Sequence, residues 1–444
     1  MSAPTRRRFL TQTLGGAAAV AFVPRLAGAG EAPTTAGSAW APAPPGARPA
    51  PPPLPARGSL EDEEFWELVK AQFPLAPGLI LMNAANLCPS PYPVQSEVFR
   101  LTQDVDADAS FQNRGKFGAL QEESRAALAG YLGADPDEIA ITRNTSESNN
   151  TVLNGLTLGA GDEVVIWEQN HPTNNISWDV RAERWGFAVT RIATPPNPTT
   201  EAELVGAFEA AITDRTRVIA FSHVSNETGV AQPARALCAL ARRRGILSLV
   251  DGAQTFGALH VDVRDLGCDF YTGSCHKWFV GPKEAGVLYV RAERIPGMWA
   301  SDVGVGWQGA VERGARKFDN LGQRDDAAVA AVAAAARFHM AIGQDLIEER
   351  IRALAAGLKT ELRSRIPGVE FHTSDVAERS AGVVVAKLPV DDHRPIYTRL
   401  YEEHRIAGAN RGGERPGIRL CPHIYNTMAE VVAVAEAMAA AIAD

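Results

Sequence analysis

The chain has 444 residues, 45% of them hydrophobic and 22% charged, with a formal net charge of −8. That length accommodates two domains with proper cores, and the composition is ordinary for a soluble globular protein. The acidic balance, with no basic stripe interleaved with aromatics, argues against nucleic acid as a partner, and past the N-terminus no apolar run is long enough to span a bilayer.

Thr5-Arg6-Arg7-Arg8-Phe9-Leu10 precedes a weakly apolar Gly/Ala-rich stretch ending near Val23, and Ala27-Gly28-Ala29 offers small residues suited to signal cleavage. Residues 1–29 therefore predict a twin-arginine export signal, read by the twin-arginine machinery, and a periplasmic location. The alternative is a basic start to a disordered tail on a cytoplasmic protein. Export of a protein already folded in a reducing compartment agrees with the cysteines at 88, 238, 268, 275 and 421, which are too scattered for a disulfide framework or a metal site. Residues 30–58 are Pro, Ala, Gly and Thr with almost no large apolar residue, which predicts a semi-extended disordered linker. Ser59 then reads as an N-cap, and Phe65, Trp66, Leu68, Val69 and Phe73 share one helical face in a segment over 59–82.

Between 139 and 290 short β-rich runs alternate with helical stretches: EIAIT, EVVIW, FAVTRI, RVIAF, ILSLV, DFYTG and GVLYV. This predicts an α/β large domain over 83–305, built on a mostly parallel sheet covered by helices, with ligands gathering at the strands' C-terminal ends. Each chemistry-bearing motif sits just past such a strand. Thr145 and Ser146 follow EIAIT and open a helix, where hydroxyls and free N–H groups suit a phosphate dianion; simple capping by either hydroxyl uses the same residue types. Asp251 ends ILSLV, where a buried carboxylate needs a partner. In Gly273-Ser274-Cys275-His276-Lys277-Trp278 a lysine follows a hydroxyl and an imidazole, both able to hold phosphate. An imine-forming lysine, an acid for a ring nitrogen and a phosphate cup together describe a site for pyridoxal 5'-phosphate. Lys283, after Gly281-Pro282, reads as an ordinary solvated lysine.

The segments NHPTNN (170–175), HVSNETG (223–229), DGAQTFG (251–257), GSCHKW (273–278) and RLCPHIYNT (419–427), in that order, resemble the class V aminotransferase family. The family includes cysteine desulfurases, selenocysteine lyases and isopenicillin N epimerase, and the likeness runs from about Asn83 to the C-terminus. It implies the fold type I architecture of pyridoxal phosphate enzymes, a large domain plus a smaller α+β domain over 306–444. It also implies Lys277 as the residue that holds the cofactor as a Schiff base and shuttles the α-proton, and Asp251 as partner of the protonated ring nitrogen. His171 would stack on the ring, Asn226 and Gln254 would reach the phenolic oxygen, and Thr145, Ser146, Ser274 and His276 would bind phosphate. Arg419 matches the residue that grips the substrate α-carboxylate, a task suited to a planar fork. Asn83 and Asn86, in MNAANLCPSP, match the active-site entrance, though turn formation explains both equally well. Gln323 stands where the family has a threonine that reaches the partner subunit's phosphate, which makes a homodimer with shared active sites the expectation.

The small domain reads as an Ala-rich helical stretch over 325–362 followed by strand-like VEFHT, GVVVAKLPV and GIRLC. A desulfurase needs a mobile loop cysteine shortly before the carboxylate arginine; residues 406–413 form the corresponding loop and contain none, and Cys421 lies beyond Arg419. The expectation is an enzyme acting at the α-carbon of an amino acid, isopenicillin N epimerase-like or an aminotransferase. A C–S or β-elimination lyase is the alternative, and a non-catalytic pyridoxal phosphate-binding protein a remote one.

Overall fold

The computed structural model describes residues 53–54, 58–59 and 61–443. The expected export signal at 1–29 and nearly all of the 30–58 linker lie outside the described residues. The first helix among the described residues is Glu63–Ala71, later than Ser59 suggested. The Asp62 carboxylate caps it by accepting the Phe65 N–H at 3.0 Å, and Ser59 instead offers its carbonyl to the Trp66 indole. Phe65, Trp66, Val69 and Phe73 are buried as the periodicity requires.

Seven strands make the central sheet, in the order Ile139–Thr142, Gly286–Val290, Phe270–Ser274, Leu247–Asp251, Thr216–Ser222, Glu163–Trp167, Ala188–Ile192. All neighbours are parallel except Gly286–Val290, which runs against both of its own. The protein has the fold type I α/β architecture. Interior strands such as Phe270–Ser274 and Gly286–Val290 are buried along their whole length, so continuous apolar runs rather than alternation mark them in the sequence. The edge strand Ala188–Ile192 has exposed positions at Ala188 and Arg191, and Thr216–Ser222 has one at Arg217.

A second, four-stranded antiparallel sheet orders Ala409–Arg411, Gly417–Leu420, Val384–Lys387 and Glu370–Phe371. Part of the expected 406–413 loop is therefore strand. Ile406–Ala407 pairs in parallel with Ile80–Leu81, and Ala409–Arg411 covers the edge of Gly417–Leu420. The Ala-rich stretch breaks into Asp326–Ala330, Val332–Ile342 and Gln344–Arg365. The last break falls at Gly343, whose φ of +104° suits only glycine. Side chains of Val329 to Ile351 join the core under the central sheet, whereas the second core begins at Leu354 and takes in Met82, Val384, Leu420 and Val434. No single helix among the described residues is long and apolar enough to cross a membrane.

Backbone bonds from Ala84 N–H to Cys421 O (3.1 Å) and from Cys421 N–H to Met82 O (2.7 Å) stitch the N-terminal segment onto the second sheet. That seam carries Asn83 to Arg419 and Asn86 to the end of the central sheet.

Candidate active site

Three strand ends and one helix start converge on a cavity of about 240 Å³ lined by Asn86, Thr145, Ser146, His171, Asp251, Ser274, His276 and Lys277, together with Asn144, Asn149, Thr173, Asn174 and Ala253. Asn144 is the N-cap of the helix Thr145–Gly155, accepting the Glu147 N–H at 3.0 Å. The Thr145 and Ser146 hydroxyls are therefore not consumed by capping. Thr145 meets the end of its neighbouring strand, with its N–H donating to Ser274 Oγ at 2.8 Å and the two hydroxyls 2.7 Å apart. Ser146 is exposed at the same helix start, where N–H groups and the helix dipole favour an anion.

Asp251 is 3% exposed. Its Oδ2 accepts from Asn149 Nδ2 at 2.9 Å and Asn174 Nδ2 at 3.3 Å, and its Oδ1 accepts the Ala253 N–H at 3.0 Å. Thr272 Oγ1 fixes Asn149 by donating to its Oδ1 at 2.9 Å. Asp251 has no cationic ion-pair partner among the described residues. A buried carboxylate held only by neutral donors calls for a positive group in the cavity, which a protonated pyridine nitrogen supplies.

Lys277 sits in a turn that returns sharply. Val280 N–H donates to Lys277 O at 2.9 Å and Gly281 N–H to Cys275 O at 2.7 Å, while buried Val280 takes φ +48°. A left-handed β-branched residue costs about 1–3 kcal/mol and persists where its surroundings force it. Gly257, at φ +91°, lets the loop after Asp251 lie against this turn, since a Cβ there would stand 2.3 Å from Phe279 N. The Lys277 amine donates no hydrogen bond among the described residues. Burial lowers its pKa, opposed by the Asp251 charge and assisted by that of Arg419. The result is an amine with a larger unprotonated fraction than a surface lysine has.

His171 caps the helix Pro172–Trp185, its Nδ1 accepting the Thr173 N–H at 3.2 Å, so the proton of the neutral ring sits on Nε2. Burial, then the Lys277 charge, lower its pKa. Burial also takes His276 down to about 4, so both imidazoles are neutral at physiological pH.

Arg419 lies 6% exposed on Gly417–Leu420. Its Nη1 donates to Asn226 O and its Nη2 to Asn83 Oδ1, each at 3.0 Å, and its Nε is buried without a partner. No carboxylate neutralises it among the described residues. Asn226 Oδ1 is likewise buried and unpartnered.

Gln254, like Asn83, Asn226, Gln323 and Arg419, is not among the residues that line the cavity. Its Nε2 donates to Ala85 O at 3.1 Å and its Oε1 accepts from the Trp278 indole at 2.8 Å, so the carboxamide locks the lysine turn to the entrance segment. Gln323 is exposed, away from this chain's cavity, and accepts from Arg114 Nη2 at 2.9 Å. Lys283 is exposed, as expected, with its amine donating to Cys88 O and Ser90 Oγ. Asn149 and Asn174 were not singled out in the sequence, although each lies three or four residues past a motif residue on a helix start. All five cysteines are buried, and burial raises the thiol of Cys88 to about 12.

A family model described as aminotransferase class V matches residues 102–433. Isopenicillin N epimerase of Amycolatopsis lactamdurans is 32% identical over 391 residues, which cover 84% of this chain and 98% of that protein. A cysteine desulfurase of Klebsiella pneumoniae is 39% identical over 185 residues, covering 40% of this chain and 44% of that protein. Among solved structures, the cysteine desulfurase CsdA of Escherichia coli superposes with a TM-score of 0.75 at 24% identity, covering 85% of this chain and 98% of that one, a likeness of fold.

Proposed function

The chain belongs to the class V aminotransferase family of pyridoxal 5'-phosphate enzymes, and from that premise we propose that it moves the α-proton of an amino acid, in the manner of isopenicillin N epimerase, rather than breaking a carbon–sulfur bond. The observation that carries this reading is a deprotonatable lysine lining the cavity and an unneutralised buried arginine whose charge acts on it, with all five thiols buried. The extent of the likeness supports it too. The epimerase aligns along 98% of its length, whereas cysteine desulfurases align over 44% to 58% of theirs.

When bound, pyridoxal phosphate supplies an electron sink that acidifies the substrate Cα–H bond. On the proposed reading Asp251 keeps the ring nitrogen protonated, and Ser274, Thr145, Ser146 and His276 hold the phosphate, His276 as a neutral N–H donor. His171 would pack against the ring and Asn226 would reach its phenolic oxygen. Arg419, steadied by Asn83, grips the α-carboxylate and so turns the Cα–H bond toward Lys277. Lys277 would hold the cofactor, and its Nζ as a free amine would take the α-proton, a role that its lowered pKa favours at neutral pH.

The desulfurase alternative needs a thiolate near the substrate sulfur. Residues 409–411 are strand rather than free loop, and Cys421 is fully buried with its thiol pushed up by burial.

The test is to incubate holoenzyme with a panel of L- and D-amino acids in deuterated water. An epimerase exchanges the Cα proton and erodes optical purity while releasing neither keto acid nor sulfide. Keto-acid release with conversion of the cofactor to its amine form would replace epimerisation by transamination, and sulfide release would restore the lyase reading.

A further inference from the structure

Arg419 has a charged neighbour that the site described so far does not use. Ala409–Arg411 pairs with Gly417–Leu420 in the register Ala409↔Arg419, Asn410↔Ile418, Arg411↔Gly417. Residues directly opposite on paired strands point to the same face, and so do residues two apart on one strand. Arg411 therefore shares the face of Arg419 as its diagonal neighbour, with Cβ atoms about 7–8 Å apart, within reach of two long side chains. The residue facing Arg419 directly is Ala409, too small to separate them.

Arg411 is poorly satisfied for a side chain only 28% exposed. Among the described residues its guanidinium makes no hydrogen bond, and its one ion-pair contact is a long one, 3.8 Å to Glu227 Oε1. That carboxylate is shared, because Arg415 Nη1 lies 3.5 Å from Glu227 Oε2 while also holding Glu168 at 2.6 Å. Glu227 in turn follows Asn226, whose carbonyl positions Arg419. Electrostatics link the same groups: burial and then the Arg419 charge lower the pKa of Arg411, and both guanidiniums push down that of His171. A half-buried guanidinium with five donors and no hydrogen bond, beside a second one already placed to grip a carboxylate, is arranged to receive another anion.

We propose that Arg411 binds a second anionic group on the substrate side chain, so that the preferred substrates are α-amino acids carrying a distal carboxylate. The inference rests on the reading of Arg419 as the α-carboxylate grip. Arg411 sets specificity and takes no part in moving the proton.

The test titrates holoenzyme with glutamate and 2-aminoadipate against the neutral glutamine and norleucine, reading the dissociation constant from the change in cofactor absorbance. One charge-assisted contact should make the acidic compounds roughly tenfold to a hundredfold tighter than the neutral ones. In Arg411→Gln that ratio should fall to near unity while glutamine binds as before. Glu227→Gln, which removes the competing carboxylate, should tighten acidic ligands further. If neutral amino acids bind but a distal carboxylate brings no gain, or if the gain survives in Arg411→Gln, the inference is wrong and the α-carbon reading stands. If no amino acid perturbs the cofactor at all, that reading falls and takes the inference with it.

Discussion

Asp251→Asn separates two roles that a buried carboxylate can play, because its neighbours are all donors. An asparagine in the same rotamer keeps the Ala253 N–H on its oxygen but turns its own NH2 toward Asn149 Nδ2 and Asn174 Nδ2. Asn174 can adapt by rotating its amide, since its Oδ1 is buried without a partner. Asn149 cannot adapt freely, because its Oδ1 accepts from Thr272 Oγ1 and the rotation strands that hydroxyl proton. One buried donor is therefore left unmatched, at about 1–3 kcal/mol. In the cofactor-free protein that loss is offset by removing a buried charge that lacks a cation, so the urea midpoint should move little. In the holoenzyme the charged bond to the ring nitrogen disappears, about 1.5–3 kcal/mol, so the cofactor dissociation constant should rise by roughly tenfold to a hundredfold. Turnover should fall further still, since a neutral amide cannot keep the ring nitrogen protonated. The assay compares urea midpoints with and without cofactor, cofactor release on dilution, and Cα–H exchange. A variant with wild-type cofactor affinity and wild-type exchange would refute the assignment of Asp251 as the ring's counter-charge.

Borohydride reduction of the holoenzyme should fix cofactor mass on the peptide containing Lys277, and Lys277→Ala should abolish that label while retaining the fold. Mass found on Lys283, whose amine already engages Cys88 O and Ser90 Oγ, would overturn the site. Acid should destabilise the protein well before its carboxylates titrate. Burial holds His223, His339 and His423 at about 4, 3 and 4 in the folded state against 6.5 unfolded, so the stability they allow is complete above pH 6.5 and is lost as pH falls toward 4. Each contributes at most about 3–5 kcal/mol by linkage, and a urea midpoint that stays flat from pH 7 to pH 4.5 would contradict their burial as neutral rings.

The α/β fold was legible because the interior strands are short runs rich in β-branched and aromatic residues, and three of them, Thr216–Ser222, Leu247–Asp251 and Phe270–Ser274, close on a polar residue. Asp251 and Ser274 stand at strand ends and His171 four residues past Glu163–Trp167, where the parallel sheet exposes backbone and side chain to one shared crevice. Less legible was anything set by the angular phase of a helix. Asn149 lies four residues past Thr145 and Asn174 three past His171, spacings that put each on the cavity side of its helix. That signal was present but competes with every polar residue on a solvated face. Gln254 shows a different limit: it lies three residues past Asp251, and the buried Trp278 indole, which needs an acceptor, donates to its oxygen. Nothing local in the sequence reports that need. Residues 409–411 read as loop because an edge strand of Ala, Asn and Arg carries no hydrophobic alternation; its partner strand, not its composition, makes it β.

Among the described residues the site holds two buried groups of opposite charge without a close counter-ion, Asp251 at the end of the central sheet and Arg419 on the second. Lys277 lies between their fields. The Asp251 charge raises its proton affinity and the Arg419 charge lowers it, with burial outweighing both. On the proposed reading a substrate carboxylate docking on Arg419 cancels one of these terms, so Lys277 becomes the stronger base once the α-carbon is in position. An amine lacking a carboxylate leaves Arg419 uncompensated and the lysine a weaker proton acceptor. On that reading carboxylate recognition and proton transfer are coupled through the charge of one arginine. Such coupling accounts for a guanidinium held only by neutral oxygens, Asn226 O and Asn83 Oδ1, because a resident carboxylate there would cancel the Arg419 field before substrate arrived.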